Sequence, residues 1–302
     1  MGIDEYVLEK RQIINDELVR ILSSLNLEGG DELIECAKYT ILAPSNRWRP
    51  IVAIASAEMY DILIDKILPI SCAIEMLHCA SMMIDDLPSF DNAMLRRGKP
   101  TLHRVYGEGL AIYTSHLTLT LARSLIFRSD LPQQIKVKLV VDYFSDLIIT
   151  EMIPGQLRDI TSKNTTMTSE QILQMYEQKS GALYGFSAAV GGIVDQANNA
   201  EVEHLTKYGR KMGTAYQILD DILDIEAKPE EIGKDVGKDI GKPTLPSIIG
   251  VEASREKARE LMQESKDALS NIRRNTRILY KLVGYIALAD KRVSPSIVQF
   301  QK

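Results

Sequence analysis

From residue 3 to about residue 290, apolar side chains recur at intervals of three and four with polar ones between them, the period of amphipathic helices. No run alternates apolar with polar as a half-buried strand does. The pattern predicts helices over 3–24, 31–42, 47–62, 68–87, 109–127, 132–162, 169–194, 199–227, 253–270 and 275–290. End signals agree: Asp130 precedes Leu131 and Pro132, Thr168 and Gln171 have capping-box spacing, and Asn199 opens AEVEHLTKYG. With no repeat of fixed period and no low-complexity linker, the chain reads as one all-α domain spanning residues 1–302. One stretch breaks the pattern, GKDVGKDIGKPTLP from Gly233 to Pro246. Its place directly after an acidic helix marks it as a phosphate-covering loop rather than a linker.

Chemistry enters through two aspartate clusters. Asp85, Asp86 and Asp91 lie in IDDLPSFDNAMLRRGKP, and Asp220, Asp221 and Asp224 in YQILDDILDIE, each beside an apolar helical run. Carboxylates near apolar surface are costly unless something positive neutralises them, so the clusters suggest hard cations at an interior cleft. Oxygen ligands, few histidines and no thiolate cluster favour magnesium over zinc. Magnesium takes one or two carboxylates and completes its shell with water and substrate phosphate, which makes a diphosphate the expected ligand. Gln217, Asp220, Asp221 and Asp224 recur at intervals of three and four and fall on one helical face. Pro88 should end the first helix near Asp86, so that Asp91 returns across a short loop. Arg96, Arg97 and Lys99 follow and suit a second anionic group.

The 302 residues carry a formal charge of -5, with 45% hydrophobic and 25% charged residues, which describes a globular protein with ample material for a core. No basic tract or aromatic-interleaved stripe suggests nucleic acid. The charged start MGIDEYVLEKRQ reads as neither signal peptide nor anchor, and no membrane-spanning run is expected. Cys36, Cys72 and Cys79 lack metal spacing and read as reduced core thiols of a cytoplasmic protein.

At these motifs the chain resembles the trans-prenyl diphosphate synthases over almost its whole length. DDLPSFD followed by RRGKPTLH is similar to the family's first aspartate-rich motif, and QILDDILD to the second. Gly155, Gln156 and Asp159 resemble its GQxxD element, Lys179, Ser180 and Gly181 its lysine-containing KTGAL element, and NRWRP its GKRxRP element. The resemblance implies an isoprenoid-synthase helical bundle around a deep central cavity, usually a homodimer. It implies three magnesium ions held by Asp85, Asp86, Asp91, Asp220, Asp221 and Asp224. An allylic diphosphate would be held by Arg96, Lys179, Gln217 and Lys234, with Gln156 and Ser180 in the neighbouring motifs. Isopentenyl diphosphate would bind through Arg49, His78 and Arg97. Asp85, Asp86, Asp220, Asp221 and Lys179 would serve catalysis, and Leu77, Ala80 and Ser81 would set product length. The last two are small, so geranylgeranyl diphosphate or longer is expected. Lone histidines on apolar helices are commonly core residues; His78 joins the site because the family pattern places it there, two turns before Asp85.

Three departures stand out. Asn46 replaces the family's usual lysine and removes one positive contact to isopentenyl diphosphate. Asn92, Ala93 and Met94 stand where several members carry further aspartates. The segment from Asp239 to Pro246 is about two residues shorter than usual, which disturbs the register that would make Lys242 the loop lysine. The first departure is the serious one, because relatives that have become terpene synthases or noncatalytic partner subunits tend to lose the isopentenyl diphosphate half of the site. A terpene synthase is therefore an alternative: Asn46 favours it, while Arg49, His78 and Arg97 speak against it. A noncatalytic partner should lose aspartates, and both clusters are whole. A di-iron bundle is a third reading, because Glu75 with His78 and Glu201 with His204 share Glu-x-x-His spacing.

Overall fold

A computed structural model describes residues 2–163, 165–226 and 242–289. Its helices are α1 (Ile3–Ser23), α2 (Asp31–Ile41), α3 (Trp48–Glu58), α4 (Ile64–Asp85), α5 (Leu102–Tyr106), α6 (Glu108–Arg128), α7 (Gln133–Lys138), α8 (Ile153–Thr161), α9 (Ser169–Tyr176), α10 (Ala182–Val194), α11 (Asn199–Glu226), α12 (Leu245–Ile249), α13 (Val251–Leu269) and α14 (Arg277–Ala289). A two-stranded antiparallel hairpin, β1 (Leu95–Arg96) and β2 (Lys99–Pro100), lies between α4 and α5. The stretches predicted at 132–162 and 169–194 are helical throughout their described cores, but π-helical turns at Leu139–Ser145, Ile148–Met152 and Glu177–Gly181 interrupt the α winding. Pro69 does not start α4, as the prediction from 68 implied; it lies within the helix. It removes one hydrogen bond, to the carbonyl of exposed Asp65, which leaves the helix able to continue.

α4 is the central element and packs against α6, α3 and α1, while α11 packs against α10 and α13. Small residues bring α3, α10 and α11 to backbone contact. A Cβ on Gly191 would collide with the Ser56 backbone, and one on Gly209 with the Tyr184 carbonyl. At the first crossing the Ser56 hydroxyl donates to the Ala188 carbonyl and accepts from the Gly191 N–H. At the second crossing Gly209 and Gly213 seat Tyr184 of α10 against α11, with its ring tilted toward Tyr216.

No membrane-spanning run was expected, yet α4 and α6 are long and apolar enough to cross a membrane by length and composition. For α4 the reason is burial: protein covers most of it, and it carries Glu75 and His78 to a central cavity. α6 is more exposed and turns Ile112 and Tyr113 outward. The three cysteines are free and buried, as their spacing suggested.

Candidate active site

One large cavity, about 1270 Å³, opens between the C-terminal end of α4 and the polar face of α11. Asp85 is the last residue of α4 and Asp86 its C-cap, so both carboxylates sit at the negative pole of the helix, where cations are favoured. The loop then folds back, with the N–H of Asp91 donating to the Asp85 carbonyl at 3.0 Å and that of Ala93 to the Asp86 carbonyl at 3.1 Å. Asp91 thereby returns beside Asp85, as Pro88 predicted. Burial raises the Asp85 carboxyl from an ordinary 3.8 to about 6; Lys179 opposes the shift and Asp91 adds to it. Asp86 turns away from the cavity and accepts from Arg96 at 2.6 and 3.0 Å.

Across the mouth, Gly155 lets α8 approach the π-helical turn at Glu177–Gly181, because a Cβ there would lie 2.7 Å from the Lys179 nitrogen. Asp159, one turn on, then accepts from Lys179 at 2.7 Å and from Lys242 at 3.3 Å. Lys242 also reaches Asp91 at 2.8 Å, so it bridges the two sides of the mouth. Burial works to raise the Asp159 carboxyl, but the two lysines outweigh it and hold it below its ordinary value. On α11, Gln217 donates to Asp221 at 3.0 Å and accepts from Ser180 at 2.8 Å. Tyr176 donates to the other oxygen of Asp221, and its own oxygen accepts from the Leu245 N–H at 3.0 Å.

A second cationic surface lies on the same cavity. Arg47 and Arg97 converge on buried Glu75, at 2.5 and 3.3 Å, and hold its carboxyl below the ordinary value against the opposing effect of burial. Arg97 stands at the hairpin tip with Gly98, both at positive φ, the backbone of a tight two-residue turn. Arg49 stacks on Tyr184, 4.4 Å from the ring centroid, and its Nε has no hydrogen-bond partner among the described residues. His78 lies beside these cations; burial first, then Arg49 and Arg97, lowers its pKa well below the usual value and keeps the ring neutral. Below the carboxylates the walls become apolar or small, with Leu77, Ala80, Ser81, Met82, Leu119 and Met152 facing the cavity. Ser115 donates to the Ala80 carbonyl at 2.9 Å, which places α6 directly against this part of α4.

Comparison with known proteins decides the family. Residues 31–286 match the model of polyprenyl synthetases. The large subunit 1 of the heterodimeric geranylgeranyl pyrophosphate synthase of Arabidopsis thaliana is 35% identical over 273 residues, covering 87% of this chain and 73% of its own. The farnesyl diphosphate synthase of Bacillus subtilis is 31% identical over 293 residues, 95% of this chain and 98% of its own. A geranyltransferase from Helicobacter pylori, solved with magnesium and isoprenyl diphosphate, superposes with a TM-score of 0.84 at 27% identity, covering 97% of this chain and 99% of that one. The chain belongs to the polyprenyl synthetase family. It is a prenyltransferase with the all-α isoprenoid-synthase fold.

In this polyprenyl synthetase the cavity brings together nearly all the residues singled out by sequence: Asp85, Asp91, Asp220, Asp221, Asp224, Arg49, His78, Arg96, Arg97, Gln156, Lys179, Ser180, Gln217, Leu77, Ala80 and Ser81 all line it. Asp86 does not, and Lys234 lies outside the described residues. Lys242, within the shortened segment Asp239 to Pro246, reaches the mouth. Three residues with defined roles were missed: Glu75 as the anchor of two arginines, Tyr176 as the anchor of Asp221, and Arg11, which enters the cavity from α1. The di-iron reading fails, because Glu75 is held by guanidinium groups and Glu201 pairs with Arg274 at 3.4 Å.

Proposed function

We propose that this polyprenyl synthetase condenses isopentenyl diphosphate with an allylic diphosphate in a magnesium-dependent reaction and releases geranylgeranyl diphosphate. The observation that carries the reading is one cavity with carboxylates and lysines at its mouth, an arginine-rich wall beside them and a small-residue apolar channel below. The donor set fits magnesium. It is all carboxylate oxygen, and among the described residues no three potential ligands form a closed cage, so an ion there needs substrate oxygens and water. Asp85, Asp91, Asp220 and Asp224 would hold it, and the resemblance suggests three ions. Bound there, magnesium supplies positive charge to the departing diphosphate.

The protein's own groups do the rest. Lys179, Lys242 and Arg96 approach the same diphosphate and add charge where negative charge develops. Arg49, Arg97 and neutral His78 hold isopentenyl diphosphate alongside, so that its alkene faces the allylic carbon. Leu77, Met82, Leu119 and Met152 exclude water from the resulting allylic cation, which the alkene attacks; the tertiary cation so formed loses a proton to the released diphosphate and restores a double bond. Purified protein incubated with magnesium, isopentenyl diphosphate and each allylic diphosphate should yield elongated diphosphates by mass spectrometry. Cyclised or hydrolysed terpene without elongation would show a terpene synthase instead.

Ala80 lies five residues before Asp85, about 7.5 Å deeper along α4, and Ser81 about 6 Å. Neither closes the channel, which supports a product beyond fifteen carbons. Ala80→Phe should fill this level and shorten the main product to farnesyl diphosphate; an unchanged product distribution would place the floor elsewhere. The exposed apolar side chains Ile112 and Tyr113 on α6, with Tyr113 70% exposed, support a homodimer that covers this helix. Tyr113→Glu should shift the sedimentation coefficient to that of a monomer, and a wild type that sediments as a monomer overturns this assignment.

A further inference from the structure

We infer that Arg11, on α1, is a binding residue for isopentenyl diphosphate and supplies the positive charge that Asn46 does not. The inference rests on the synthase reading above. Arg11 lies ahead of residues 31–286, the part of the chain matched by the family model, and belongs to none of the motifs read from the sequence.

The geometry begins with the fate of the other cations in this wall. Of the two arginines in NRWR, Arg47 is consumed inside the protein: it bonds Glu75 at 2.5 Å, Asn15 at 2.9 Å and the Ile41 carbonyl at 2.6 Å. Arg97 spends one edge on Glu75. Arg47 lines the cavity but is committed to these protein groups, whereas the Nε of Arg49 has no hydrogen-bond partner among the described residues, and Asn46 beside them carries no charge. Arg11 reaches this point from another helix. Its Nε donates to the Asn46 carbonyl at 3.4 Å, its guanidinium lies 5.7 Å from the Trp48 ring centroid, and it lines the same cavity as Asn46, Arg49, His78 and Arg97. Among the described residues no carboxylate lies within 4 Å of it, in contrast to Lys10, which is neutralised by Glu9 and Glu58.

A half-buried guanidinium fixed by a ring face and one carbonyl, with its remaining donors uncommitted, is pre-organised for an anion. Trp48 provides the ring. A cation carried on α1 also explains how the site tolerates asparagine at 46: the charge is relocated onto a neighbouring helix.

The test measures isopentenyl diphosphate binding by isothermal titration in the presence of magnesium, alongside steady-state KM for both substrates. Arg11→Gln should weaken isopentenyl diphosphate about tenfold and leave the allylic KM unchanged, the loss expected when a charge-assisted bond becomes a neutral one. Arg11→Lys should keep most of the affinity. Asn46→Lys placed in the Arg11→Gln background should restore it, a rescue that a merely structural role for Arg11 does not predict. Wild-type affinity in Arg11→Gln, an equal loss for both substrates, or failure of the rescue would each overturn the inference while leaving the synthase reading intact. A wild-type protein that binds no isopentenyl diphosphate and elongates nothing overturns both.

Discussion

Asp85→Asn is expected to lower turnover by roughly 10²–10³-fold and, at the same time, to stabilise the metal-free protein. The two effects share one cause. Asp85 stands at the negative end of α4, half-buried and close to Asp91, and desolvation raises its carboxyl to about 6. The folded protein therefore binds this proton more tightly than the unfolded chain, where an aspartate titrates near 3.8. Ionisation costs folded-state stability as pH rises from about 4 to 6, and above 6 the whole cost, about 2–3 kcal/mol, is present. Below pH 4 it vanishes. The asparagine isostere removes the charge and keeps the shape, so its thermal midpoint in chelator at pH 7.5 should exceed that of wild type. The gain should disappear at pH 4. Turnover falls because the cation that the wild-type carboxylate recruits is the one that offsets charge on the departing diphosphate. A variant that is less stable than wild type in chelator, or that retains near-normal turnover at limiting magnesium, would contradict this account.

The helices were legible because almost every one keeps an apolar face of period 3.6, and α1, α2 and α11 match their predicted spans to within a residue. The π-helical turns were not. Widening one turn leaves the apolar spacing nearly unchanged, and nothing in Glu177–Gly181 marks the bulge that presents Lys179. The hairpin escaped because each strand has two residues. The aspartate clusters were legible as chemistry but not as orientation. Neighbours on a helix point about 100° apart, and at the end of α4 that offset divides the pair into Asp85 at the mouth and Asp86 on Arg96. The neighbours Asp220 and Asp221 on α11 both line the cavity, so spacing alone does not show the division. No spacing could have shown Tyr176 or Arg11, whose partners lie 45 and 35 residues away.

Glu75 is the clearest case of a role hidden in sequence, and its removal should have the largest effect on stability. In the chain it is one acidic residue on an apolar helix; in the fold its side chain is 2% exposed and receives Arg47, 1% exposed, and Arg97. Both arginines adopt left-handed backbone conformations, with φ of 55° and 54°, which a side chain other than glycine takes up at a cost of order 1–2 kcal/mol. The shared carboxylate holds both in place. Glu75→Ala strands a buried guanidinium without its counter-charge, a cost that relaxation of the two turns offsets only in part, so a loss of about 3–5 kcal/mol in urea unfolding is expected. A loss below about 1 kcal/mol would mean that Asn15 and the backbone carbonyls of Ile41 and Ala43 hold Arg47 without Glu75. The double variant Glu75→Leu with Arg47→Met separates folding from function. Replacing both charges by apolar groups of similar volume should recover much of the stability. Arg97 would still lack its anchor, so KM for isopentenyl diphosphate should stay raised in the recovered protein while that for the allylic substrate returns to the wild-type value.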